Sequence, residues 1–93
     1  MERTLDSYLE SVMNTKGVTG VVCADANGLC LQARGTLHKD SAGVLSELTR
    51  LANKLEPSNS YKPAICLEGD TFNVVAHSEG TVTVAVQKAH SSG

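Results

Sequence analysis

Residues Gly20 to Leu31 read Gly-Val-Val-Cys-Ala-Asp-Ala-Asn-Gly-Leu-Cys-Leu, two apolar runs around an Asp-x-Asn-Gly corner. In such a corner the Asp and Asn side chains bond their own backbone, and Gly accepts a positive φ at which other residues clash. The pattern predicts a hairpin, with strands over Val18 to Ala24 and about Leu29 to Arg34. In the second of these, Leu29, Leu31 and Ala33 alternate with Cys30, Gln32 and Arg34, which predicts one buried and one wetter face. A turn centred between Ala26 and Asn27 would set Cys23 opposite Cys30 and leave room for a bridge. The alternative is that both are free cysteines acting as small hydrophobes.

Two helical patterns flank the hairpin. Leu5, Tyr8, Leu9, Val12 and Met13 fall on one arc at helical period, predicting a helix from about Thr4 to Asn14 that the Lys16-Gly17 pair stops. After the hairpin, Asp40 or Ser41 is the expected cap of a longer helix reaching about Leu55. Its Val44, Leu45, Leu48, Leu51, Ala52 and Leu55 make one apolar stripe, marking it as the main core helix, with Leu48 expected in the core. Residues Glu56 to Lys62 form an ordinary loop. Three strands are expected beyond it, Pro63 to Glu68, Phe72 to Ser78 and Thr81 to Lys88, joined by the glycine corners Gly69-Asp70 and Glu79-Gly80. Corners this short demand an antiparallel meander.

The expected fold is therefore an α+β domain spanning 1–93, with element order α-β-β-α-β-β-β and a five-stranded antiparallel sheet. At 93 residues a chain buries only about 60 to 70 per cent of its unfolded surface. Both faces of the sheet carry apolar residues, for example Val82, Val84 and Val86 against Ala85. The short first helix is expected to cover one face only in part, leaving the remainder for something else.

The sequence argues against several function classes. Eight basic and ten acidic residues leave a formal charge of −2, and Tyr8, Tyr61 and Phe72 are too few for a base-stacking platform, so nucleic acid is not an expected partner. No stretch approaches the ~20 apolar residues of a membrane span, residue 2 is Glu rather than a myristoylated Gly, and direct membrane contact is not expected. Cys23, Cys30 and Cys66 form no Cys-x-x-Cys pair, and His38, His77 and His90 show no metal-ligand spacing. His77 is the best single candidate for a functional group, but it stands alone on a strand. No nucleophile elbow and no phosphate-binding glycine loop is present. The expectation is no catalytic residue, no cofactor and no metal.

One surface does stand out. Pro63 cannot donate to a ladder and so marks an edge strand, yet Ala64, Ile65, Cys66 and Leu67 follow as an apolar run without the inward lysine or bulge that usually blunts an edge. Such an edge invites strand addition. The plainer reading is that a loop covers it.

Taken together, Gly20-Val21-x-Cys23-x-Asp25-x-x-Gly28-Leu29, Arg34-Gly35-Thr36-Leu37 and Ala42-Gly43-Val44 resemble the roadblock superfamily. More narrowly, Thr4-Leu5, Leu9-Glu10, Met13, Cys66-Leu67-Glu68 and Thr83-Val84-Ala85-Val86-x-Lys88 are similar to the roadblock subunits of Ragulator. The resemblance implies a roadblock sheet lacking the C-terminal third helix of longer members. It further implies pairing through the third strand and second helix, so that two sheets become one. On that basis the expected interface comprises Ala64, Ile65, Cys66 and Leu67 of the edge, with Gly43 and Glu47 on the second helix.

The implied role is a scaffold at the lysosomal surface that helps recruit and activate Rag GTPases for amino-acid-dependent mTOR signalling. Implied partners are the fourth Ragulator roadblock subunit, a lipidated wrapping subunit, a second roadblock heterodimer and, more weakly, a viral X protein and an inhibitor-of-apoptosis protein. Any share in nucleotide exchange would belong to the assembled complex. The competing reading is a small-molecule sensor of the profilin-like or PAS-like kind, which needs an apolar pocket of about 300 Å³ or more.

Overall fold

The structure is a computed structural model and describes residues 2–55, 63–79 and 81–89. Helix α1 (Glu2–Met13) precedes strands β1 (Val18–Ala24) and β2 (Cys30–Gly35), followed by helix α2 (Ser41–Asn53) and strands β3 (Ile65–Glu68), β4 (Phe72–Glu79) and β5 (Val82–Ala89). The strands form one antiparallel sheet in the order β2-β1-β5-β4-β3. This is the mixed α/β architecture that the sequence predicts. The expected loop over 56–62 and the residue Gly80 of the last corner lie outside the described residues. Pro63 stays outside β3, which begins two residues later.

The corner forms as its residue types require. Asp25 Oδ1 accepts hydrogen bonds from the backbone N–H groups of Asn27 at 2.9 Å and Leu29 at 3.0 Å. The N–H of Gly28 donates to the Asp25 carbonyl at 2.9 Å, and Gly28 takes a φ of 85°. The strand after it departs from expectation. Cys23 pairs with Gln32 but Ala24 pairs with Cys30, so Leu31 is an extra residue in a β-bulge. The bulge breaks the alternation. Cys30 and Ala33, three apart, both pack on the α2 side of the sheet, whereas Leu29 and Leu31 are 65% and 45% exposed. The predicted buried face of Leu29, Leu31 and Ala33 therefore keeps only Ala33.

The bulge also decides the cysteines. Cys23 packs in the cluster under α1 while Cys30 packs against the cluster under α2, so the two do not stand opposite each other. All three cysteines are free.

Each helix covers one face. Under α2 lie Val22, Ala24, Val74, Ala76 and Ala85, closed by Leu37, Ala42 and Leu45. Under α1 lie Val21, Cys23 and Val84, closed by the fully buried Leu9 and flanked by Leu5, Val12 and Met13. Burying a leucine such as Leu9 stabilises the fold by about 1.5 to 3 kcal/mol. A polar cluster fixes α1 against β2: Gln32 Nε2 and Arg34 Nη2 donate to Asp6 Oδ1 at 2.6 and 3.1 Å, and Arg34 Nη2 also donates to Gln32 Oε1 at 3.2 Å.

The N-terminus of α2 differs from expectation. Asp40 is the N-cap, but its φ of −68° is helical and its side chain makes no capping bond. The first amide donors are instead taken by carbonyls of the preceding turn, Ser41 N–H to His38 at 2.9 Å and Ala42 N–H to Lys39 at 3.1 Å.

Candidate protein interface

The sheet ends in two edges, β2 and β3. The Leu31 bulge distorts β2, a common way of blunting an edge. Strand β3 pairs with β4 in unbroken register, Ile65 with Ala76, Cys66 with Val75, Leu67 with Val74 and Glu68 with Asn73. Among the described residues its other side pairs with no strand. Ile65 points to the α2 side and packs against the core there, and Leu67 shares that face at 44% exposure. Cys66 and Glu68 point to the other face and are exposed, as is Ala64 just before the strand.

Helix α2 brings a second apolar element to this edge. Its buried stripe is Ala42, Leu45 and Thr49, with the Thr49 hydroxyl donating to the Leu45 carbonyl at 2.9 Å. Four residues of the single stripe expected from the sequence form a separate ridge: Val44 is 62% exposed, Leu55 is 82% exposed, Leu51 is exposed and Leu48 is half-buried. At 100° per residue Val44, Leu48 and Leu51 lie within about 60° of one another, turned about 120° from the buried stripe, and Leu55 follows two residues past the end of α2. The opposite flank of the helix faces the hairpin corner, because a Cβ built on Gly43 would meet the Gly28 carbonyl oxygen at 3.7 Å. Helix α2 also contacts β3.

Of the expected interface residues, the structure brings Ala64, Ile65, Cys66 and Leu67 together on one edge. Gly43 and Glu47 lie on α2 rather than on the strand. Gly43 sits by the hairpin corner, and Glu47 is engaged by Arg50, whose Nε donates to Oε1 at 3.0 Å and whose Nη2 meets Oε2. That hydrogen bond holds the Glu47 carboxyl below its ordinary value. The residues sequence reasoning did not single out as surface are Val44, Leu51, Leu55 and Phe72. Phe72 is 40% exposed on the same sheet face as Leu67. For Val44, Leu51 and Leu55 the signal was present in the sequence, as an apolar stripe too wide for one core contact; Phe72 had no such signal.

A second apolar surface lies on the other face. Helix α1 packs on β1 and β2, and beside it runs a groove of about 270 Å³ lined by Val12, Val18, Val75, His77, Val86 and Lys88. His77 is thus a half-buried wall residue. Among the described residues no group of three or more His, Cys, Asp or Glu side chains converges on a point. Cys23 is buried, and burial, reinforced by the nearby Cys30, pushes its thiol up to about 11.

The model of the family Ragulator complex protein LAMTOR5 matches residues 1–88. The chain belongs to this family. It is 43% identical over 91 residues to the Ragulator complex protein LAMTOR5 homolog of Nematostella vectensis and 38% identical over 91 residues to Ragulator complex protein LAMTOR5 of Xenopus laevis, in each case spanning 98% of this chain and 100% of the relative. Among solved structures it is similar to Myxococcus xanthus MglB, with a TM-score of 0.78 at 15% identity over 94% of this chain and 76% of that one. It is also similar to a roadblock/LC7 domain from Streptomyces avermitilis, with a TM-score of 0.70 at 18% identity over 88% of this chain and 76% of that one. These likenesses establish the roadblock fold.

Proposed function

We propose that this chain is a non-catalytic scaffold subunit of Ragulator, joined to a second roadblock subunit through β3 and the α2 ridge. The observation that carries this reading is an edge strand without a bulge in contact with a helix that exposes Val44 and Leu51, with Leu55 exposed just past its end. Main-chain pairing along β3 would supply affinity, and Leu67 with the ridge would supply the apolar contact that excludes water. The partner that fits is the fourth Ragulator roadblock subunit. Ile65 is half-buried and anchors the edge from within, while Ala64 and Cys66 flank it.

The groove between α1 and β4 takes a different occupant on this reading. A segment of the lipidated wrapping subunit laid along Val12, Val75 and Val86 would cover the open part of the sheet and carry the chain to the lysosomal surface. There it would serve a second roadblock heterodimer and the Rag GTPases in mTOR signalling. No helix among the described residues is long and apolar enough to cross a membrane, so a lipidated neighbour is the attachment this reading requires. The small-molecule reading has less support, since the groove, at about 270 Å³, is only at the small end of the ~300–1,000 Å³ usual for ligand pockets and, among the described residues, brings together no convergent set of polar groups.

The deciding experiment is co-expression with the fourth Ragulator subunit, scored by co-elution, using Leu67→Lys and, as a control on the opposite edge, Leu29→Lys. Loss of co-elution with Leu67→Lys alone supports the assignment, whereas co-elution of a folded Leu67→Lys chain defeats it. Lysosomal placement is tested separately, by imaging the tagged chain after removal of the lipidated subunit. Puncta that persist would overturn that part of the proposal.

A further inference from the structure

We draw no further inference here: the strongest candidate outside the surfaces already described, the polar cleft of about 190 Å³ between α2 and the β4–β5 hairpin lined by Ser46, Arg50, Asn53, Ser78 and Thr83, has one buried carboxamide oxygen on Asn53 without a partner, and nothing in the structure shows what would occupy it.

Discussion

At the level of single residues, three positions separate local geometry from function. Gly35 has a φ of 69°, and a Cβ there would fall 2.1 Å from the Thr19 carbonyl oxygen, a backbone atom held in place by the Thr36 N–H at 2.9 Å. Gly35→Ala is therefore expected to destabilise the chain by more than ~2 kcal/mol, read from a denaturant midpoint. A loss below about 0.5 kcal/mol would mean that the β1–β2 junction differs from the one described. The cysteines give a second prediction. Cys66 is exposed and Cys23 fully buried, so a thiol reagent at neutral pH should label Cys66 first and reach Cys23 only on unfolding. Because the Cys23 thiol is raised to about 11, the folded state holds its proton where the unfolded chain has lost it. The resulting stability is complete below the ordinary thiol range and falls as pH rises from about 9 to about 11, by at most ~1.4 kcal/mol per pH unit. Cys23→Ser should flatten that alkaline slope, and an unchanged slope would remove Cys23 as its source.

Helix α2 shows, at the level of elements, what a sequence pattern can and cannot say. Its apolar residues recur at helical period, so the helix itself was legible. The period does not say how many surfaces share the apolar arc. One stripe was expected, whereas the structure buries only Leu45 of it, together with Ala42 and Thr49 from outside it, and leaves Val44, Leu51 and Leu55 exposed and Leu48 half-buried. Thr49 looks polar in the sequence, yet it is buried because its hydroxyl bonds back to Leu45. The division gives a paired prediction. Leu45→Ala should cost the isolated chain about 2 to 5 kcal/mol by leaving a cavity. Leu55→Ala should change that stability by less than ~0.5 kcal/mol while weakening association with the roadblock partner. Equal effects of the two variants on the isolated chain would contradict the ridge. Strand β2 makes the complementary point. The Asp-x-Asn-Gly corner announces a hairpin, but no residue type announces that Leu31 is the one left unpaired, and that single slip exposes two leucines and separates Cys23 from Cys30. The β3 edge was legible for the opposite reason, since Pro63 announces an edge strand just ahead of it and the register that follows is unbroken. Which flank of α2 would join Gly43 or Glu47 to an interface was not legible in the sequence, because it follows from how the helix docks on the sheet, where Gly43 comes to lie beside the hairpin corner.

The whole molecule presents a contrast between a closed core and two open apolar surfaces. The core is narrow: on each face a single helix closes a few small residues, many of them alanine or valine. Among the described residues nothing covers the exposed leucines of the β3 edge and α2, nor the groove beside α1. A chain of 93 residues has little stability in reserve, and exposing leucines that could be buried leaves part of its available hydrophobic free energy unused. Under the proposed assignment, any partner that binds the folded state and not the unfolded one raises the apparent stability by mass action, by about 2.7 kcal/mol when its concentration is a hundredfold above Kd. The isolated chain should therefore melt well below its complex with the fourth Ragulator subunit, and the difference should grow with partner concentration. Leu67→Lys should leave the melting temperature of the isolated chain nearly unchanged and abolish the increment from the partner. This separates an interface role from a core role, because a core residue would lower both temperatures together. If instead Leu67→Lys keeps the full increment, strand β3 is not the pairing edge, and the bulged β2 edge with Leu29 and Leu31 becomes the surface to examine.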